Sequence, residues 1–176
     1  MIRKKTDNKR TSKSKQVRPI PSGFSTVTPY LVLNGADQAI EFYKKAFDAK
    51  EIIRHNMPDG KIMHAQIKIG NSIVMLSDEF EGSAHRSPAS LGTSTVALHI
   101  YVHDVDKLWE QAISAGAKVV VPIDNQFWGE RYGQLVDPFG HHWSVSKQIK
   151  MSPEEMETKR KAAMTMFASG EHPGQS

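Results

Sequence analysis

The sequence predicts an α+β fold built from two similar βαβββ modules that lie side by side. The main observation is an internal repeat: when the chain is slid 69 positions along itself, residues 28–47 align with residues 97–116, and Asp37 falls on Asp106. Each copy shows strand-like alternation, then helical spacing, then three further strand-like segments. An internal repeat constrains the architecture before any single motif does, so it is the basis of this fold prediction.

The first copy supplies the first module. Alternation over Thr26–Leu33 predicts a strand, and Asn34 is placed to cap the helix that follows it. The apolar positions of that helix have helical spacing, and they are Ala36, Ala39, Ile40, Tyr43 and Phe47. Three strands follow, at 49–56, 61–69 and 72–78, with a turn at Pro58-Asp59-Gly60 and a hairpin through Gly70-Asn71.

The second copy repeats this order. A helix is expected from about Val105 to Ala115, with Asp104 as its N-cap and Gly116 just past its end. Strands are expected at 117–123, 130–136 and 141–147, with a last turn at Asp137-Pro138-Phe139-Gly140. The domain plan is therefore a single domain over 24–150, whose modules at 25–79 and 94–148 are joined by a loop over 80–93.

Both ends of the chain extend beyond this domain. Residues 1–22 carry eight Lys or Arg and one Asp, with few large apolar residues, so we expect a disordered basic tail. Such a tail supports at most nonspecific contact with nucleic acid. At the other end, Ser152-Pro153-Glu154-Glu155 has the form of a capping box that opens a helix over 151–169.

Composition narrows the possible functions. The 176 residues are 39% hydrophobic and 24% charged, which is ordinary for one globular domain. There are no cysteines, so disulfides, cysteine nucleophiles, iron–sulfur clusters and thiolate zinc sites are excluded. No apolar stretch reaches the ~18 residues that a membrane helix needs, and no signal sequence is visible, so a cytoplasmic protein is expected.

Six short motifs follow one another along the chain: Thr28-Pro29-Tyr30-Leu31, Ala39-Ile40-Glu41-Phe42-Tyr43, His64-Ala65-Gln66, Asp137-Pro138-Phe139-Gly140-His141, Trp143-Ser144 and Ser152-Pro153-Glu154-Glu155. Together they resemble the vicinal oxygen chelate superfamily of glyoxalase I, bleomycin-resistance proteins and extradiol dioxygenases, and within it the PhnB-like branch. The resemblance covers roughly residues 25–168. It implies the glyoxalase/bleomycin-resistance/dioxygenase fold, in which the two modules form a curved mixed sheet around a central cup.

The resemblance also implies where a metal would be held. Metal-using members take ligands from the first and last strand of each module, which correspond here to Thr28, Met75, Ala97 and Ser144. These side chains offer hydroxyl, thioether and methyl groups instead of the imidazole and carboxylate donors that divalent ions prefer. We therefore expect no metal at this position and no cofactor, and the metal-free drug-binding members become the better analogy.

Strand alternation then assigns the lining of the cup. Pairing across the first hairpin places Gln66 opposite Met75, and the equivalent pairing in the second module is expected to place Leu135 opposite Ser144, with Arg131 on the same side. Trp128 precedes that strand in a segment that resembles a mobile loop. The predicted ligand-binding residues are Tyr30, His64, Gln66, Met75, His99, Tyr101, Trp128, Arg131 and Ser144.

Three functions remain open at this stage. The first is a protein that binds a small organic molecule without metal, with Trp128 covering a flat ligand and Arg131 meeting an anionic group. The second is a metal-dependent isomerase, lyase or dioxygenase with displaced ligands such as His64 and His99. The third is a regulatory or protein-binding module, which only the basic tail and the C-terminal helix support.

The expected assembly is a homodimer. Closed two-fold dimers are the commonest oligomers, and superfamily members commonly complete their cups across such an axis. The C-terminal helix carries apolar side chains at Met156, Met164 and Phe167, which are candidates for part of this contact. Packing of Trp128 at a module or dimer interface is the alternative to a role for this residue in ligand binding.

Overall fold

The computed structural model describes residues 18–170 and shows two four-stranded sheets, each with a helix packed on one side. The first sheet has the strand order β1-β4-β3-β2, in which β1 runs parallel to β4 and the other pairs are antiparallel. Its elements are β1 Tyr30–Leu33, α1 Ala36–Phe47, β2 Lys50–Asn56, β3 Ile62–Ile69 and β4 Ser72–Asp78.

The second sheet repeats this topology with the order β5-β8-β7-β6 and a parallel β5–β8 pair. A short helix, α2 Pro88–Leu91, precedes it. The elements of the second module and the C-terminal helix are β5 Ala97–Tyr101, α3 Val105–Ala115, β6 Lys118–Gln126, β7 Glu130–Val136, β8 His142–Gln148 and α4 Pro153–Ala168. The predicted α+β fold with two βαβββ modules is confirmed.

Two local features differ from the sequence prediction. The first strand begins at Tyr30 instead of Thr26, because Thr28 belongs to an irregular segment in which its hydroxyl donates to the carbonyl oxygen of Ser25. The 80–93 segment also contains α2, whose N-cap is Ser87. Hydrogen bonds from Ser87 and Ser90, together with Arg86, fasten this segment to Glu79 and lower the pKa of the Glu79 carboxyl to about 2.

The N-terminus of α1 is capped from a distance. Asn34 was expected to cap it, but Gly35 occupies the N-cap position and no side chain next to it serves as the cap. Instead the Asp78 carboxylate, at the end of β4, accepts hydrogen bonds from the backbone N–H groups of Gly35 and Ala36 at 3.1 and 2.9 Å. The same carboxylate accepts from the N–H of Ile62, so one side chain connects α1, β3 and β4.

The other helix termini follow the sequence prediction. The Asp104 side chain accepts a hydrogen bond from the N–H of Lys107 and opens α3, and Gly116 closes that helix with a left-handed φ of 116°. At α4, Ser152 and Glu155 form the predicted capping box. None of the residues of α4 is buried, so its apolar side chains remain available on the surface of the chain.

The hydrophobic core lies between the helices and the inward sides of the sheets. From α1 it takes the five residues predicted by helical spacing, Ala36, Ala39, Ile40, Tyr43 and Phe47. The strand positions that face the helices are also buried, and they include Ala65, Ile67, Val74, Leu76, Trp143 and Val145. The opposite side of each sheet is thereby left to polar and aromatic residues.

The Asp137 carboxylate joins the two modules. Its Oδ2 atom accepts hydrogen bonds from the Tyr43 hydroxyl of α1 at 2.8 Å and from the Trp143 indole N–H at 2.9 Å. Its Oδ1 atom accepts from the backbone N–H groups of Phe139 and His141, both at 2.9 Å. A carboxylate that is only 4% exposed requires such partners, because an unpaired buried charge is very costly.

The two sheets are connected through this junction and through packing of α1 on α3. Within residues 18–170, no strand pairing joins β1 to β5, so the expected curved sheet consists of two separate four-stranded sheets. His141 adds a contact between the modules, since its Nε2 atom lies 3.3 Å from the carbonyl oxygen of Val32 in β1. Burial lowers the pKa of His141, which favours the neutral imidazole at this contact.

Both ends of the chain extend beyond the described residues. Most of the predicted basic tail, residues 1–17, lies outside the described residues, as does 171–176. Among the described helices, none is both long and apolar enough to cross a membrane.

The junction leads to a stability prediction. Changing Tyr43→Phe removes one donor from the buried Asp137 carboxylate and leaves the ring packing unchanged. A hydrogen bond to a charged group contributes about 1.5–3 kcal/mol, so we expect the free energy of unfolding to fall by this amount in urea denaturation. The matched control is Tyr101→Phe, whose hydroxyl also donates to a carboxylate but on the protein surface. An equally small effect of both changes would contradict the role assigned to the junction.

Candidate functional site

The register of the β7–β8 hairpin decides which side chains share a face in the second module. Gln134 lies opposite Ser144 and Leu135 opposite Trp143, so the predicted pairing of Leu135 with Ser144 is wrong. The physical reason is the length of the turn. In the first module Ile69 pairs with Ser72 across Gly70-Asn71, but the turn that begins at Asp137 separates its strands by more residues and reverses the alternation.

Arg131 consequently lies on the helix side of the sheet, away from the predicted cup. Its Nε atom donates to Asp106 of α3 at 2.7 Å, and an Nη atom also contacts that carboxylate. The neighbouring Lys147, which pairs with Arg131 in register, lies 3.7 Å from the same carboxylate. The predicted position of Arg131 in the ligand-binding cup is therefore wrong, and the residue serves as an ion-pair partner of α3.

The opposite side of this sheet carries a cluster of rings and polar groups, which we call the aromatic face. Its members come from β5, β7, β8 and the turn before β7. They are His99, Tyr101, Trp128, Glu130, Tyr132, Gln134, Ser144 and Ser146. Four of the predicted site residues, His99, Tyr101, Trp128 and Ser144, are brought together here.

Glu130 connects two of the rings. One carboxylate oxygen accepts a hydrogen bond from the Tyr101 hydroxyl at 2.8 Å, and the other accepts from the Trp128 indole N–H at 3.2 Å. The hydrogen bond to Glu130 is the main cause of a raised pKa of the Tyr101 phenol, because phenolate beside carboxylate is unfavourable. Tyr101 and Trp128 are 63% and 44% exposed, so their ring faces are accessible to a ligand.

The remaining members fix the ring positions. The ring of His99 lies 4.4 Å from that of Tyr101 and 5.8 Å from that of Tyr132, and the His99 Nε2 atom is 2.8 Å from the Ser146 hydroxyl. The Tyr132 hydroxyl contacts the Ser144 hydroxyl at 3.2 Å and also the side-chain amide of Gln134. These contacts position the rings of His99, Tyr101 and Tyr132 relative to one another.

Trp128 lies in a tight turn between β6 and β7, where a mobile loop was anticipated. The N–H of Gly129 donates to the carbonyl oxygen of Gln126 at 3.1 Å, which closes the turn. The Trp128 ring contacts Tyr132 edge-on, with the ring centres 5.5 Å apart, and meets Phe127 on the other side at 5.0 Å. The indole is therefore positioned by the aromatic face itself.

The other predicted site residues lie on the first module. Gln66 pairs with Met75 as predicted, and Tyr30 lies beside Met75 on β1. His64 contacts the ring of Tyr30 at 5.9 Å and the amide of Gln66 at 3.1 Å. No described hydrogen bond or ring contact joins this set to the aromatic face, so the structure does not bring His64 and His99 together within the described chain.

The positions implied for a metal do not fit one. Met75 and Ser144 lie on central strands as expected, but Thr28 precedes β1 and binds a backbone carbonyl. Thioether, hydroxyl and methyl groups make a poor donor set for a divalent ion. Over residues 18–170, no three His, Asp or Glu side chains are arranged to hold one elsewhere.

A groove of about 690 Å³ runs along the outer edge of β5 and shares His99 and Tyr101 with the aromatic face. Its other walls come from both modules and are mainly apolar, including Val27, Pro29, Ile73, Leu98 and Ile100. An apolar groove that adjoins a few fixed polar groups is the usual form of a small-molecule site.

Sequence reasoning missed Glu130, Tyr132 and Gln134 as members of this site. All three follow from the register of β7, and the signal that would have identified them is the extra length of the turn after that strand. The hydrogen bonds of Glu130 place it between two aromatic side chains.

Comparison with known proteins agrees with this architecture. Residues 25–145 match the family model of the glyoxalase/bleomycin resistance protein/dioxygenase superfamily. An uncharacterized protein of Mycobacterium bovis is 45% identical over 127 residues, which is 70% of this chain and 84% of that protein. Protein YjdN of Escherichia coli is 28% identical over 117 residues, covering 65% of this chain and 76% of YjdN.

Solved structures show the same fold. TioX from Micromonospora sp. ML1 has a TM-score of 0.56 at 26% identity, covering 73% of this chain and all of TioX. A PhnB protein from Bacillus cereus has a TM-score of 0.57 at 16% identity, covering 70% of this chain and 99% of that protein. With the family match and the paired βαβββ modules, these similarities show that the chain belongs to the glyoxalase/bleomycin resistance protein/dioxygenase superfamily.

Proposed function

We propose that this protein binds a small, flat organic molecule on the aromatic face, without the metal site that many members of its superfamily use. The observation that carries the proposal is a set of three exposed or partly exposed rings: Tyr101 and Trp128 donate hydrogen bonds to Glu130, and Tyr132 contacts the ring of Trp128. Stacking on such rings favours planar ligands. The adjoining groove along β5 offers apolar walls for the rest of the molecule.

The rings are suited to binding because they are already positioned. Each is fixed by a hydrogen bond or a ring contact with another member of the aromatic face. Preorganised side chains lose little conformational entropy when a ligand arrives, so more of the interaction energy appears as affinity. The first-module set around Tyr30 and His64 is a second lining of the cup implied by the family, and the proposal does not depend on it.

Binding is tested with quinoline, a flat neutral probe, in a ligand-observed NMR titration at pH 8. Changing Trp128→Leu or Tyr132→Leu removes a stacking surface, and we expect each change to weaken binding by about 1 kcal/mol, roughly fivefold in Kd. The matched control is Arg131→Ala, on the same strand but on the opposite side of the sheet, which we expect to leave the Kd unchanged. Affinity that depends on Arg131 but not on the rings would refute this site.

The metal prediction is tested separately. Protein purified without chelators is expected to contain far less than one divalent ion per chain by elemental analysis, because the donor set at the family position is unsuitable. Treatment with EDTA followed by dialysis should leave the Kd for quinoline unchanged. One firmly bound zinc, nickel or iron per chain, with binding lost on its removal, would instead favour the displaced-ligand metalloenzyme.

We also propose that the protein is a homodimer. Apolar side chains are exposed near the free edges of β1 and β5, where Val27 and Val96 are 83% and 62% exposed, and on α4, where Met164 is 47% exposed. Exposed apolar side chains near strand edges and on a helix surface favour association.

Light scattering should therefore give a mass of about twice the 19.7 kDa of one chain. Introducing a charge by Val96→Lys tests the strand edges, and Met164→Lys tests α4. We expect at least one of these variants to shift the mass toward that of the monomer. A mass of one chain at all concentrations for the unaltered protein would show that the proposal is wrong.

A further inference from the structure

We infer that the aromatic face selects organic cations over neutral or anionic molecules of the same shape. This inference rests on the proposed function and specifies the ligand class of the same site. It opposes the expectation drawn from the sequence, in which Arg131 was to meet an anionic group.

The first observation is the distribution of charge between the two sides of the second sheet. The alternation that places Glu130, Tyr132 and Gln134 on the aromatic face places Arg131 on the other side, and Lys147 lies opposite Arg131 there. Both cations are held near Asp106 of α3. The strands β5, β7 and β8, which are fully described, therefore contribute one carboxylate and no Lys or Arg to the aromatic face.

The second observation is the arrangement of rings around that carboxylate. Tyr101 and Trp128 both donate hydrogen bonds to Glu130, so their positively polarised O–H and N–H groups point toward the carboxylate while the ring faces remain accessible. The face of an aromatic ring carries partial negative charge and attracts cations. The rings and the carboxylate thus favour the same sign of ligand charge.

The neighbouring strand β6 adds one charge of each sign. Asp124 lies opposite Tyr132 in register, whereas Lys118 lies opposite Val136, at the end of β7 that is far from Glu130. A ligand that suits these groups is a planar ring system with a quaternary or protonated nitrogen. An aromatic carboxylate of equal size would meet repulsion from Glu130, and β5, β7 and β8 place no Lys or Arg on this face to offset it.

The experiment compares three probes of similar shape: N-methylquinolinium, quinoline and 1-naphthoate. Ligand-observed NMR titrations at pH 8 and 0.15 M NaCl give the Kd of each. We expect N-methylquinolinium to bind about tenfold more tightly than quinoline, the scale of a partly desolvated cation–π contact, and 1-naphthoate to bind most weakly.

Variants at Glu130 separate charge from shape. Glu130→Gln should remove most of the ratio between the affinities for N-methylquinolinium and quinoline, both measured on the same variant, and Glu130→Asp should retain that ratio. The control Glu110→Gln makes the same change in net charge on the exposed side of α3, and we expect it to leave the preference intact. Near-UV circular dichroism checks that each variant keeps its aromatic packing.

The outcomes distinguish the inference from the proposal on which it rests. Equal affinity for the cation and quinoline, or tighter binding of 1-naphthoate, would overturn cation selection while the aromatic face remained a binding site. Probe affinities that are unaffected by Trp128→Leu and Tyr132→Leu would overturn the site itself. If none of the three probes binds at millimolar concentration, both are refuted.

Discussion

The buried Asp137 carboxylate is the interaction on which the rest of this structure depends. It begins the turn between β7 and β8 and accepts hydrogen bonds from two backbone N–H groups of that turn, so it fixes the shape of the turn. It also accepts from Trp143 and from Tyr43, which belongs to the helix of the other module. Because a buried carboxylate must keep its donors, the turn, the start of β8 and α1 cannot move independently. Within the described residues no strand pairing joins β1 to β5, so this network holds the relative position of the modules together with packing of α1 on α3 and the His141 contact with Val32.

The same turn determines the chemistry of the second module. The first-module hairpin closes through Gly70-Asn71, whereas the turn that begins at Asp137 spans Val136 to His142. Side chains alternate along a strand, so this difference in turn length changes which residues of β7 face the helices. Each residue of β7 lies on the side opposite to that expected from an exact repeat of the first module. Arg131 is thereby directed toward α3, while Glu130, Tyr132 and Gln134 lie on the aromatic face. A structural element that secures the module junction thus also sets the charge of the candidate site.

The features that could be predicted from the sequence are those formed by residues close together along the chain. The caps at Asp104 and Ser152 are formed by residues within one turn of the helix, and the sequence pattern identified both. The cap of α1 is formed by Asp78, more than forty residues away, so a local search selected Asn34 instead. Burial of the strand faces was predictable because alternation is local as well. The misplacement of Arg131 arose from carrying the register of the Gly70-Asn71 hairpin over to the second hairpin, whose turn is longer and is closed by Asp137.

The repeat itself supports a structural role for the arginine. Asp37 and Asp106 occupy equivalent positions in the first turns of α1 and α3, where a carboxylate is favoured by the helix dipole. Each pairs with an arginine from its own sheet, Asp37 with Arg54 of β2 and Asp106 with Arg131 of β7. The two arginines come from strands that are not equivalent in the repeat. The ion pair is therefore present in both modules, although the arginine occupies a different position in each. Because an arginine pairs with the carboxylate at the start of the helix in both modules, Arg131 belongs to the scaffold. The aromatic face therefore carries the Glu130 carboxylate and exposed rings, while β5, β7 and β8 place no Lys or Arg beside them.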